Sequence, residues 1–214
     1  MNLVFLGPAG SGKGTQAKRL EVDYRVTQIS TGDLLRNAVR EGTELGKKAE
    51  PLMREGRLVP DDLVIGLIEE RLAKGDLGGG ILFDGFPRTL PQARALDEAL
   101  ARHGRKIDKV ISLEVPEAIL VDRVTGRRSC PVCGTVYHVR ARPPKVEGKC
   151  DVEGADLVQR SDDTAEKLEK RLEVFRTEIP KVKEFYRERE ILAEVDGVGE
   201  PDEVYDRVRR AVEG

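Results

Sequence analysis

A short apolar run, Leu3 to Leu6, leads without a break into GPAGSGKGTQ, and helical spacing resumes near Lys13. Gly7, Gly12 and Lys13 give the G-x-x-x-x-G-K spacing between a strand and a helix, the setting in which this pattern cradles phosphate. Glycines let such a loop curl until several backbone N–H groups point inward, and the following helix adds partial positive charge at its N-terminus. Anionic oxygens are stabilised there, within reach of the lysine. The general pattern places Ser or Thr directly after the lysine, whereas here Gly14 stands in that place with Thr15 next. The magnesium-bound hydroxyl of the general rule therefore has no counterpart at position 14.

Four more short β-rich runs, Thr27 to Ile29, Ile81 to Phe83, Val110 to Val115 and Leu192 to Val195, are separated by longer stretches with helical spacing. Apolar strands alternating with helices predict a doubly wound α/β core, a P-loop NTPase-like parallel five-stranded sheet with helices on both faces. Between Ser161 and Glu190 the apolar positions Leu168, Leu172, Phe175, Ile179, Val182 and Phe185 recur every three or four residues and predict one long amphipathic helix. Asp163 with Glu166 has the spacing of a capping box at its start, and Pro180 predicts a bend. Two stretches break the alternation: Thr31 to Val59 reads as helices with no strand, and Arg127 to Gln159 holds all the cysteines. Both read as insertions into the core.

At 214 residues the chain can bury one good core that carries such insertions. Its 37 basic and 39 acidic residues leave a formal net charge of -2 with no basic block, so a nucleic-acid partner is not expected. No apolar run approaches the roughly 18 residues of a membrane span, and MNLVFLG lacks the form of a signal peptide. The expectation is a soluble, cytoplasmic protein with no membrane contact.

Asp84 closes the apolar run ILFD and is followed by GFPR. A carboxylate at the C-terminal end of a parallel strand beside a P-loop is well placed to hold magnesium through its water shell. Arg36, Arg88, Arg123, Arg127, Arg160 and Arg171 offer planar forks for phosphate oxygens, although any one of them alone would read as a solvated surface ion pair.

Taken together and in this order, GPAGSGKGTQ, STGDLLR, DGFPRTLPQ, VDRVTGRR, PPKVEGKCD and RSDD resemble the adenylate kinases, over almost the whole chain. The resemblance implies reversible, magnesium-dependent transfer of the terminal phosphoryl group of ATP to AMP, giving two ADP, by a monomer. It also implies a core of residues 1–30, 60–125 and 163–214, a subdomain for the nucleoside monophosphate at 31–59, and a lid at 126–162. By the same resemblance Thr31, Arg36, Arg57, Val59, Gly85, Arg88, Gln92, Arg160 and Arg171 hold AMP. ATP is implied to meet Gly10, Ser11, Gly12, Lys13, Gly14, Thr15 and Gly199, with Arg123 and Tyr137 flanking its base. Lys13, Arg88, Arg127, Arg160 and Arg171 match the cations around the phosphates, and Asp33 and Asp84 match the acids that order magnesium and its waters. Gln92 carries an amide able to read an adenine edge. An AMP phosphate is already an anionic nucleophile, so positioning, charge neutralisation and exclusion of water would carry the rate.

Cys130 and Cys133 have the C-x-x-C spacing, and Cys150 with Glu153 repeats the same gap later. Two close-spaced pairs bridged by a loop predict a structural zinc knuckle, in which Glu153 supplies the fourth ligand and Asp151 is the alternative. A closed four-ligand site leaves no position for water, so zinc would staple the lid and take no part in the chemistry. GTP:AMP transfer, or a preference for a pyrimidine monophosphate, is the nearest alternative activity. A GTP-hydrolysing switch would show an N-K-x-D motif, which the sequence lacks. A zinc-ribbon nucleic-acid module would need a basic, aromatic stripe, which is also missing.

Overall fold

The computed structural model describes residues 1–75 and 77–214. Strand β1 (Asn2–Leu6) passes through the P-loop into α1 (Lys13–Tyr24), and β2 (Thr27–Ser30) runs directly into α2 (Thr31–Arg40), α3 (Glu44–Glu55) and α4 (Asp61–Ala73). The chain continues as β3 (Ile81–Asp84), α5 (Leu90–Arg102), β4 (Lys109–Glu114) and α6 (Glu117–Thr125). A small antiparallel pair, β5 (Arg127–Ser129) with β6 (Val136–His138), precedes α7 (Ala165–Arg187), β7 (Leu192–Asp196) and α8 (Pro201–Glu213). The central sheet has five strands in the order β2-β3-β1-β4-β7, and every pairing in it is parallel.

Strand side chains alternate between faces, and both faces here are covered. From β1, Val4 and Leu6 join one buried cluster with Ile68 and Leu72 of α4, Leu96 and Leu100 of α5, and Val182 of α7. Leu3 and Phe5 join the other, with Leu20 of α1 and Val204 and Val208 of α8. Each such fully buried aliphatic or aromatic side chain contributes roughly 1.5–3 kcal/mol. Because β1 lies between β3 and β4, the chain leaves it towards one edge of the sheet and later returns to the other. Doubly wound sheets open their ligand crevice at such a reversal, at the carboxyl ends of the strands. The register places Asp84 beside both Phe5 and Ser30, so the P-loop, the end of β3 and the start of α2 emerge side by side.

One local expectation is corrected. The cap of α7 is Thr164, whose hydroxyl accepts the Lys167 N–H at 3.3 Å. Asp163 does not form the capping box expected with Glu166; it is fully buried, and both its carboxylate oxygens accept hydrogen bonds from Arg127. A guanidinium fork outcompetes a single backbone N–H for a buried carboxylate. The helix then runs on through Pro180 as one element. The β5–β6 pair went unforeseen because strands of three residues carry almost no periodicity.

Candidate active site

The P-loop turns on backbone shapes that side chains rarely adopt. Gly12 caps α1 with φ 98°. Gly10 has φ 84°, and a Cβ there would lie 2.8 Å from Val124. Lys13, the first residue of α1, folds back so that its Nζ donates to the carbonyl oxygens of Gly7 at 2.7 Å and Pro8 at 2.8 Å. Burial, together with repulsion from Arg88, Arg171 and Arg127, lowers its pKa to about 8 despite the attraction of Asp84. Ser11 is buried in the loop, and Gly14 and Thr15 begin the first helical turn.

Opposite the loop, burial raises the pKa of Asp84, partly countered by Lys13. Its Oδ2 accepts from Gln28 Nε2 at 3.0 Å. Burial acts the same way on Asp33, but Arg36 outweighs it and holds that carboxyl below its ordinary value. Arg36 grips Asp33 Oδ1 at 2.6 Å through one terminal nitrogen, and Ser30 caps α2 at the Asp33 N–H.

The guanidiniums crowd the same space. Burial and the nearby Arg171 lower the pKa of Arg88 to about 10. Burial, Arg36 and Arg127 do the same to Arg160. Arg171 is also lowered by burial, although its ion pair with Asp162 at 2.7 Å opposes the shift. Arg127 differs: burial disfavours its charge, yet the hydrogen bonds to Asp163 prevail and raise its pKa. Side chains from four separated segments thus disfavour one another's charge, which is the electrostatic signature of a site built for a polyanion.

A cavity between α2, α3, α4 and the end of β3 is lined by Thr31, Arg36, Arg57, Val59, Gly85, Arg88, Gln92 and Arg171, all predicted from sequence, and Arg160 lies outside that lining. Thr31 donates to the Gly85 carbonyl at 3.1 Å, which ties α2 to the end of β3. The same cavity has an apolar wall of Leu35, Met53, Leu58 and Val64 that the sequence reading missed. Three of the four fall in the stretch 31–59 that reads as helices with no strand, and nothing in the sequence marked them as a wall.

On the far side, Arg123 donates to the Gly197 carbonyl at 3.3 Å, and Gly199 turns the chain towards α8 with φ 128°. Tyr137 does not present a free ring face. It is 4% exposed in the small core around Cys130 and Cys150, and its hydroxyl accepts the Asp151 N–H at 2.8 Å and lies 3.6 Å from Cys150 Sγ. His138 packs against Gly126, with Nε2 3.0 Å from the Asp122 carbonyl oxygen, and is no ligand.

Cys130, Cys133 and Cys150 bring their Sγ atoms within 4.8 Å of one another. The 3.6 Å between Cys133 and Cys150 is close to the ~3.8 Å expected of two thiolates on one tetrahedral zinc with bonds of about 2.3 Å. The backbone N–H groups of Val132 and Cys133 point at Cys130 Sγ, and those of Val152 and Glu153 point at Cys150 Sγ, so the two knuckles have the same shape. The donor set suits zinc. The Glu153 carboxylate is not drawn into the thiol group, and Asp151 is engaged by the Lys145 N–H at 2.8 Å. Arg40 of α2 reaches across to the Pro131 carbonyl at 3.3 Å, so the cysteine-bearing insertion touches the helical one.

Residues 5–191 match the family model described as adenylate kinase. The chain is 50% identical to the adenylate kinase of Archaeoglobus fulgidus over 213 residues, covering 100% of this chain and 98% of the relative. It is 51% identical to that of Moorella thermoacetica over 197 residues, 92% of this chain and 91% of the relative. Against the adenylate kinase of Carboxydothermus hydrogenoformans it is 46% identical over 213 residues, the full length of both.

Proposed function

The chain belongs to the adenylate kinase family and is an ATP:AMP phosphotransferase, and from that premise we propose how its residues divide the work. The observation that carries the proposal is the crowding of Lys13, Arg36, Arg88, Arg160 and Arg171, each of which faces other cations within one cleft. Two nucleotides meeting end to end bring the negative charge that such an array lacks.

ATP lies on the P-loop from Gly10 to Thr15, with Lys13 released from the Gly7 and Pro8 carbonyls to bridge the transferring phosphates. Its base lies near Arg123 and the turn at Gly199. AMP occupies the cavity of residues 31–59 and the end of β3, its base against the apolar wall and Gln92, its phosphate on Arg36, Arg88 and Arg171. Arg127 and Arg160 belong to residues 126–162, which act as the lid and bring their charge when it closes. In the transfer, an AMP phosphate oxygen forms a bond to the γ-phosphorus of ATP while the bond to the β,γ-bridging oxygen breaks in line. The nucleophile is already ionised, so no side chain removes a proton. Adenylate kinases take ATP with magnesium, which Asp84 and Asp33 would hold through water, and the ion would supply positive charge to the ATP phosphates. Gln28 keeps the Asp84 carboxylate in place for this.

Zinc would be held by Cys130, Cys133 and Cys150, with Glu153 as the fourth ligand after a side-chain rotation, because it occupies the knuckle position equivalent to Cys133. When bound it braces the lid fold and takes no part in transfer. The protein acts as a cytoplasmic monomer. The relatives do not favour GTP:AMP transfer or a pyrimidine acceptor. Nucleoside diphosphate formation assayed with ATP or GTP as donor and AMP, CMP or UMP as acceptor, with and without magnesium, tests the reading. Fast, magnesium-dependent turnover confined to ATP with AMP is expected; equal turnover with CMP would move the acceptor assignment.

A further inference from the structure

We propose that Asp61 is a positioning residue for acceptor specificity, locking the Gln92 amide in the one orientation that matches a 6-aminopurine and rejects a 6-oxopurine. The inference rests on the reading that Gln92 faces the acceptor base.

Gln92 is 2% exposed, and both ends of its amide are engaged. Nε2 donates to Asp61 Oδ1 at 2.6 Å, and Oε1 accepts the Arg88 backbone N–H at 2.8 Å. A carboxylate oxygen can only accept and a backbone N–H can only donate, so the amide cannot turn over without opposing two donors at one end and two acceptors at the other. Asp61 is fixed in turn. Its Oδ2 accepts the Thr89 hydroxyl at 2.9 Å, while that hydroxyl accepts the Gln92 backbone N–H at 3.2 Å. The carboxylate also sits in the first turn of α4, where the helix favours negative charge.

A primary amide carries two N–H groups and two carbonyl lone pairs. The lock uses one of each, leaving one donor and one acceptor in a set order. Adenine presents an acceptor at N1 beside a donor at N6. A 6-oxopurine presents a donor at N1 beside an acceptor at O6, the reverse order. Gln92 lines the same cavity as Leu35, Val59 and Val64, so a mismatched edge would leave both partners unpaired away from water. Asp61 and Thr89 thereby turn an amide that could read either edge into one that reads adenine.

AMP and inosine monophosphate differ only at this edge, so the test compares them as acceptors, measuring kcat/KM in the wild type, Asp61→Asn and Gln92→Leu. An asparagine at position 61 can present either a carbonyl or an amide to Gln92, which loosens the lock. The preference for AMP should fall about tenfold or more in Asp61→Asn, carried by the acceptor KM, with the KM for ATP unchanged. Thr89→Val, which frees Asp61 Oδ2, should shift the ratio the same way by less and serves if the first variant folds poorly. Equal losses for both acceptors with the ratio preserved would overturn the proposal, leaving Asp61 a merely structural residue. Gln92→Leu separates the two levels of the argument. If it collapses the preference while Asp61→Asn does not, Gln92 reads the base without help from Asp61. If it leaves the preference intact, Gln92 does not read the base, and both the reading and the proposal fail.

Discussion

Replacing Lys13 with methionine should make the free protein more stable and nearly inactive. Burial and the surrounding arginines lower the Lys13 pKa from 10.5 to about 8, which corresponds to about 3 kcal/mol favouring the neutral amine. At neutral pH the folded protein carries that cost. Methionine has a similar length and no charge, and its loss of contacts with the Gly7 and Pro8 carbonyls offsets part of the gain. A net stabilisation of roughly 1–3 kcal/mol follows, or several degrees in Tm for a chain of this size. The sign depends on pH in a defined way. Below about pH 8 the lysine is charged whether the chain is folded or unfolded, and the full cost applies. Between about 8 and 10.5 the unfolded lysine stays charged while the folded one loses its proton, so wild-type stability rises with pH and the advantage of Lys13→Met fades. Calorimetric Tm values from pH 6.5 to 10.5, beside ADP formation by both proteins, measure it. Turnover should fall by ~100-fold or more. A variant less stable than the wild type at pH 7, or a Tm difference that does not change with pH, would refute the reasoning.

Asp163→Asn should cost about 3–5 kcal/mol in a denaturant midpoint, because it leaves the half-buried Arg127 without the fully buried carboxylate that takes both its hydrogen bonds. The same change should weaken ATP more than AMP in kinetic assays. Gln28→Leu removes the 3.0 Å hydrogen bond to Asp84, and the magnesium concentration for half-maximal rate should rise severalfold with little change in the KM for AMP. Cys150→Ser should abolish the zinc binding proposed for the three thiols, as read by elemental analysis, and lower Tm while retaining measurable turnover, because a metal held there would brace residues 126–162 without taking part in transfer; complete loss of turnover in a folded variant would contradict that proposed role.

The sheet was legible because its strands are buried on both faces, which writes Leu3 to Leu6 and Ile81 to Phe83 as unbroken apolar runs. The P-loop was legible because a phosphate cradle needs its glycines and lysine at fixed spacing in a few consecutive residues. Side chains whose partners are remote were not. Asp163 looked like a helix cap because the sequence does not show that Arg127, 36 residues away, would claim its carboxylate. The resemblance placed Tyr137 beside a base, whereas its ring is packed into the small core around Cys130 and Cys150. Asp61 passed unnoticed because nothing local connects it to Gln92, and it meets the amide only when α4 packs against α5, 31 residues on. Gln28 and Asp84 lie on neighbouring strands but 56 residues apart in the chain.

The central claim is that the cleft is a cationic array left incomplete until nucleotide phosphates enter, and titration calorimetry of ATP without magnesium at pH 8.5 tests it most directly. Lys13, with a pKa of about 8, is largely neutral there in the free protein. Bound phosphates should restore its charge, so repeating the titration in buffers of different ionisation enthalpy should reveal uptake of most of one proton per ATP bound, absent in Lys13→Met. Binding with no proton uptake, or with equal uptake by the variant, would contradict the account.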